Sequence, residues 1–243
     1  MRHLKARYFE TSKLQVCLPW DSISRVRIAV FGATGRTGHP LVEQAVERGH
    51  EVVAFVRDVT GLSSVLRNND RVSIVEGDAY TGEGVDRAIA SDGDPVGAVV
   101  SVLGQSLDGP NDLPTEAGRH IRSAMSQYGV ERFMTLVGAG VHKEGESVSL
   151  GGRVMSAVLK LLAGSVLKDA RNRVKSIKRS DTRWTVVRGP RLTGDAYTGE
   201  FRQGPDLSLG TRDTAARANV AEFILNCLED DLYVHEIPKI TDA

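Results

Sequence analysis

From Val26 onward, short apolar runs alternate with stretches in which apolar residues recur every three or four positions. Val26 to Phe31 is nearly all apolar, as expected of a strand covered on both faces. Leu41, Val42, Ala45 and Val46 then mark one helical face, with Pro40 near its start and Gly49 at its end. Val52 to Val56 and Val72 to Val75 read as the second and third strands, Glu83 to Ser91 as a short helix, and Ala98 to Leu103 as a fourth strand. A helix beginning at Thr115 carries Ile121, Ala124 and Met125 and ends at Gly129. A fifth strand follows at Phe133 to Val137. Beyond Gly138-Ala139-Gly140 the pattern predicts helices over about 152–163 and 167–180, then a sixth strand at Trp184 to Val187. A long polar loop, an amphipathic helix over 217–228 and a short strand at Tyr233 to Ile237 complete the chain.

Strands joined through helices of ten or more residues require right-handed parallel crossovers. The expectation is therefore an α/β fold: a single doubly wound parallel sheet with helices on both faces, spanning residues 25–243. Residues 1–24 carry basic side chains but no continuous apolar core, and read as an N-terminal extension rather than a targeting signal.

Composition narrows the function. The 243 residues include 31 basic and 31 acidic side chains, so no global field draws the chain to nucleic acid or membrane. No apolar run approaches the roughly 20 residues of a membrane span. Cys17 and Cys227 are the only cysteines, which suits a reducing compartment and a cytoplasmic location. Histidine, cysteine and carboxylate spacings suggest no metal site.

The chemistry starts at Gly32-Ala33-Thr34-Gly35-Arg36-Thr37-Gly38, between the first strand and the first helix. Gly32 lets the chain turn out of the strand, Gly35 admits a pyrophosphate against the backbone, and Gly38 lets the helix pack closely on the sheet. Free N–H groups and the positive helix end then face the phosphates. In this strand–loop–helix context the spacing predicts a dinucleotide site. At the end of the second strand Arg57 is placed to clamp a 2′-phosphate with Arg36, which favours NADP(H) over NAD, while Asp58 is the counter-signal. Asp78 is placed either to bond the adenine edge or to shape a turn.

Four stretches resemble the atypical short-chain dehydrogenase/reductases of the NmrA-like and biliverdin reductase B (flavin reductase) type: GATGRTG at 32–38, FVRD at 55–58, EGDAY at 76–80 and RSDTRWTVVRGPRLT at 179–193. The resemblance runs over about residues 26–237. It implies a Rossmann-like domain binding NADP(H) across the C-terminal strand ends, with Arg57 near the 2′-phosphate. Leu103 and Gly104 would lie beside the adenosine and ribose. Val137, Gly138 and Ala139 on one side, and Gly189, Pro190, Arg191 and Leu192 on the other, would flank the nicotinamide.

The tyrosine–lysine dyad usual in short-chain dehydrogenases is absent. Four residues after Tyr8, Tyr80, Tyr128, Tyr197 and Tyr233 stand Ser12, Gly84, Arg132, Phe201 and Ile237. Carbonyl reduction by that dyad is therefore not expected, and no catalytic residue is identified. Hydride transfer to a flavin or quinone needs only a positioned electrophilic ring, because the cofactor supplies the difficult chemistry. The expected activity is NADPH-dependent reduction of such a small acceptor. The alternative is a redox-sensing regulator that binds NADP(H) without turnover and works through a protein partner. On the substrate side, His142 and Arg191 are the candidates, each with the plain alternative of a solvated side chain. The stripe over 152–163 reads as core rather than lid. The nine basic residues from Lys168 to Arg191 read as a solvated helix face.

Overall fold

The computed structural model describes residues 25–91, 93–105, 109–138 and 170–243. Its elements run β1 (Arg27–Phe31), α1 (Gly38–Glu47), β2 (Glu51–Val56), α2 (Ser64–Arg67), β3 (Val72–Glu76) and α3 (Val85–Ile89). A small hairpin of β4 (Ala90–Ser91) and β5 (Asp94–Pro95) precedes β6 (Ala98–Ser101), α4 (Leu113–Tyr128) and β7 (Arg132–Gly138). Helical residues 170–178 (α5) lead to β8 (Arg183–Gly189). The chain then forms β9 (Arg191–Thr193), β10 (Phe201–Gly204), β11 (Thr214–Ala216), α6 (Arg217–Glu229) and β12 (Lys239–Asp242).

Eight strands make one sheet in the order β10-β12-β8-β7-β6-β1-β2-β3. Every neighbouring pair is parallel except β10 with β12 at one edge. The expected doubly wound Rossmann-like sheet is present, with an antiparallel edge that the pattern did not predict. The inner strands are apolar on both faces because both faces are covered. One face packs Leu41, Val42 and Ala45 of α1 and Val220, Phe223 and Ile224 of α6 against Ile28, Val30 and Ala54. The other packs α3, α4 and α5, through Ile89, Ile121 and Ile177, against Phe31, Phe55 and Val186. Phe31 and Phe55 meet across β1 and β2 with ring centroids 4.7 Å apart.

Three expectations need correction. The helix proposed for Glu83 to Ser91 ends at Ile89, and Ala90 and Ser91 pair with Asp94 and Pro95 instead. The long polar loop holds β9, β10 and β11. Asp231 to His235 form a turn in which Asp231, Tyr233 and His235 all take positive φ; of the strand expected at Tyr233 to Ile237 only an isolated parallel bridge between Glu236 and Thr185 is present, and the final strand is β12. Arg132 explains that turn. Its guanidinium, buried beneath it, donates to the carbonyls of Leu232 (3.1 Å), Cys227 (3.0 Å) and Arg183 (2.9 Å) and to the Thr185 hydroxyl (2.8 Å). Thr185 in turn donates to the Tyr233 carbonyl at 2.9 Å. These bonds hold a backbone that three non-glycine residues would otherwise avoid. The segment 152–163 lies outside the described residues.

Candidate nucleotide-binding site

The strand order reverses between β1 and β6, so a crevice opens beyond their carboxyl ends, where ligands of doubly wound sheets bind. The glycine loop forms one wall. Gly32 has φ +90°, and a Cβ there would lie 3.2 Å from the Leu103 nitrogen and the Val102 carbonyl carbon. The loop thus passes directly beside the chain leaving β6, whose Val102 N–H donates to the Phe31 carbonyl at 3.0 Å. A Cβ on Gly38 would overlap the Gly32 carbonyl, so close packing of α1 on the loop demands glycine there. A Cβ on Gly35 would meet only the Gly32 carbonyl oxygen, at 3.0 Å. The fold alone does not demand glycine at 35 as it does at 38. A phosphate passing over the loop would.

Within the loop, Gly35 N–H donates to the Gly32 carbonyl and His39 N–H to the Gly35 carbonyl, both at 2.9 Å. Among the described residues, the N–H groups of Arg36 and Thr37 make no backbone hydrogen bond. Thr37, at the N-cap of α1, makes no side-chain cap bond either. These donors, at the positive end of a ten-residue helix, fit an anionic diphosphate. Thr34 is exposed, and its Cβ and Cγ2 lie 3.1 Å from where a Cβ on Gly61 would stand. The turn after β2 therefore backs directly onto the loop.

That turn settles the fate of Asp58. Its carboxylate accepts from the Thr60 N–H (2.8 Å) and the Thr60 hydroxyl (2.7 Å) and caps a short 3-10 turn. These bonds hold it below the usual carboxylate range. Arg57 is exposed and, among the described residues, makes no hydrogen bond or ion pair. Arg36 is likewise exposed on the loop.

Asp78 stands just beyond β3, half-buried, and its carboxylate accepts from the Tyr80 N–H at 2.8 Å. It also closes the turn through its backbone: its N–H donates to the Glu83 carbonyl (3.0 Å) and its carbonyl accepts from Gly82 N–H (2.9 Å). The turn-forming role is thus present, and one carboxylate oxygen of Asp78 accepts none of these bonds. Tyr80 reaches across to Asp112 at the start of α4. The nearby carboxylates of Asp112 and Glu116, with some burial, push its hydroxyl above the ordinary tyrosine value. Such a tyrosine is held protonated and does not replace the missing dyad. Tyr197 is likewise pushed up, by burial first and then by the nearby Glu222 carboxylate.

Farther along the crevice, β7 and β8 end side by side, with Val137 opposite Arg188 and Gly138 opposite Gly189. Val137 is buried, whereas Gly138 is exposed and, among the described residues, has no atom within 4 Å of a Cβ position. Gly189 is tight, because a Cβ would meet Leu192 at 2.7 Å. Pro190 is half-buried and Arg191 exposed at the rim, while Leu103 is half-buried and Gly104 exposed on the β6 side. The structure therefore gathers Gly32, Thr34, Gly35, Arg36, Thr37, Gly38, Arg57, Leu103, Gly104, Val137, Gly138, Pro190 and Arg191 around the carboxyl ends of the strands, with Asp78 at the β3 end. His142 lies outside the described residues. Arg217, at the start of α6, is a further side chain near the loop that the sequence pattern did not single out. Its only sequence signal was being the first residue of a recognisable helix.

The NAD(P)H-binding family matches this chain over residues 32–231. The chain belongs to that family. It is 27% identical to a functionally uncharacterised chloroplastic protein of Arabidopsis thaliana over 250 residues, covering 98% of this chain and 85% of the plant protein. Among solved structures it resembles a short-chain dehydrogenase/reductase of Veillonella parvula in complex with NADP. That likeness has a TM-score of 0.74 at 16% identity, covering 89% of this chain and 94% of the other. A Streptococcus pneumoniae protein carrying the name of an NADH-flavin reductase superposes with a TM-score of 0.70 at 19% identity, covering 90% of this chain and all of that one. At these identities the structural likenesses establish the fold. Among the described residues, no helix of this NAD(P)H-binding protein is long and apolar enough to cross a membrane.

Proposed function

We propose that the protein is an NADPH-dependent oxidoreductase that passes hydride to a flavin, quinone or similar small acceptor. The observation that carries the cofactor preference is the contrast at the end of β2. Asp58 is occupied by Thr60, whereas Arg57 and Arg36 present guanidiniums with no partner among the described residues. A carboxylate turned into its own turn is a poor ribose acceptor, and two unpaired arginines suit a 2′-phosphate.

In this reading Gly32, Thr34, Gly35, Thr37 and Gly38 cradle the diphosphate, and Asp78 meets the adenine edge with its remaining carboxylate oxygen. Leu103 and Gly104 line the adenosine and ribose, and Val137, Gly138 and Pro190 flank the nicotinamide. NADPH, when bound, supplies the hydride. Among the described residues the surface over Gly138 is open to an acceptor ring in contact with the nicotinamide, and Arg191 stands at its rim. The missing tyrosine–lysine dyad directs the reading toward acceptors that take their proton from water. It equally supports a second reading, a sensor that holds NADP(H) without turnover and signals to a protein partner.

The test is oxidation of NADPH and NADH with FMN and a short-chain quinone, with binding titrated alongside. Rapid NADPH oxidation with either acceptor supports the oxidoreductase. Tight NADPH binding without turnover across several acceptors moves the assignment to the sensor, and failure to bind either nucleotide overturns both.

A further inference from the structure

Arg217 opens α6 directly after β11, and β11 runs in register with β9, Thr214 opposite Arg191. Helix α6 also packs along α1, where the Gln44 amide donates to the Ala218 carbonyl at 2.9 Å. These two packings set Arg217 between β9 and α1, the helix that the glycine loop opens. Arg217 is half-buried, and Arg36 and Arg191 are exposed. Among the described residues none of the three guanidiniums makes a hydrogen bond or ion pair. Burial, and then the charge of Arg36, lower the proton affinity of Arg217, so the two guanidiniums feel each other.

The nearby carboxylates of Asp242 and Asp213 are already engaged. Asp242 accepts from Ala216 N–H (2.9 Å) and the Asn219 amide (2.8 Å), and Asp213 from Gly210 N–H (2.8 Å). Glu222 faces Arg48 at 3.7 Å. Two like charges, one partly withdrawn from water and neither answered by a carboxylate, favour an anion between them.

We propose that Arg217 and Arg36 form a two-arginine clamp for a phosphate group at the mouth of the glycine loop. The clamp rests on the nucleotide-binding reading above and adds Arg217 to that site. The phosphate can belong to the nucleotide or to a phosphorylated acceptor such as FMN, since a bidentate guanidinium reads both alike.

The experiment compares the full-length protein with Arg217→Gln and Arg217→Lys. Titrations of NADPH and NADH, and of FMN and riboflavin with NADP⁺ present, are followed by fluorescence. Thermal midpoints are recorded with and without inorganic pyrophosphate. We expect Arg217→Gln to weaken a phosphate-bearing ligand about tenfold, with partial recovery in Arg217→Lys. Equal losses for NADPH and NADH place the clamp on the diphosphate, and a loss confined to NADPH places it on the 2′-phosphate. A loss for FMN but not riboflavin places it on the acceptor. The ligand-free midpoint should not fall, because removing one of two repelling charges relieves strain; a merely structural arginine would lower it. Unchanged affinity for all four ligands overturns the clamp and leaves the nucleotide reading intact. If the wild-type protein binds neither nucleotide, that reading fails. Pyrophosphate stabilising wild type but not Arg217→Gln would then still support the clamp, and no stabilisation of either would overturn it.

Discussion

The Asp58 carboxylate is held by Thr60, through both its N–H at 2.8 Å and its hydroxyl at 2.7 Å. The acidic side chain at the end of β2 therefore serves its own turn, and the exposed Arg57 guanidinium beside it has no partner among the described residues. Arg57→Glu should weaken NADPH roughly ten- to a hundredfold while changing NADH little, the range of a charged hydrogen bond replaced by repulsion. Parallel titrations of the two nucleotides decide it. Equal affinities before and after the substitution would remove Arg57 from 2′-phosphate recognition.

The two later glycines of the loop should behave differently. Gly38→Ala places a methyl on the Gly32 carbonyl, so α1 must separate from the loop and the folded state loses stability. Gly35→Val meets only the Gly32 carbonyl at 3.0 Å, and should fold while losing NADPH and NADH alike. Circular dichroism melting and nucleotide titration on both variants separate the effects. A folded Gly35→Val that binds normally would take the loop out of the site.

The inner strands and α1 were legible because strands covered on both faces must be apolar throughout and the helix must show a single stripe. The glycine loop was legible because steric exclusion, as at Gly38, leaves one residue type. Tyr233 to Ile237 misled for a physical reason: Tyr233 packs on the core from a turn in which Arg132 and Thr185 gather the Leu232 and Tyr233 carbonyls, and Ile237 packs on it beyond the single Glu236–Thr185 bridge. The true last strand, Lys239–Asp242, looks polar because Thr241 and Asp242 bond to the Thr214 carbonyl and the Ala216 N–H. Strands β9 to β11 lie in a stretch of largely exposed residues and carry no periodic signal. Arg217 depends on α1 packing against α6, a contact between distant parts of the chain that no local pattern announces.

Acid should loosen the α1–α6 seam. His50 is fully buried; its Nδ1 accepts the Val26 N–H at 3.3 Å and its Nε2 donates to Glu229 at 2.8 Å. Glu229 also meets Arg48 at 2.9 Å. Burial alone would raise the Glu229 carboxyl, but the His50 hydrogen bond and the Arg48 charge outweigh it and hold the group below its ordinary value of 4.5. A carboxyl depressed in the folded state contributes its stability above the unfolded value and loses it as pH falls through the lower folded value. Urea midpoints measured from about pH 6 to pH 3 should therefore decline, and Glu229→Gln should flatten that decline. An unchanged slope in the variant would assign the acid sensitivity to other carboxylates.

Arg132 anchors the opposite end of the sheet from the nucleotide crevice. Burial lowers its proton affinity, and Asp231, 3.4 Å from Nε, partly restores it. Arg132→Leu would take their side-chain donor from the Leu232 and Arg183 carbonyls, and one of two donors from the Cys227 carbonyl, which keeps the Leu232 N–H, beneath a turn that already contains three positive-φ residues. Each buried acceptor left unsatisfied costs about 1–3 kcal/mol, so a total loss of about 3–5 kcal/mol is expected in chemical denaturation. Arg132→Lys keeps the charge but cannot span four acceptors and should lose most of the same stability. Because the network stands at the far ends of β7 and β8, folded variant protein should bind NADPH with wild-type affinity. A weakened affinity in that fraction would mean that the turn and the crevice are coupled through the two strands.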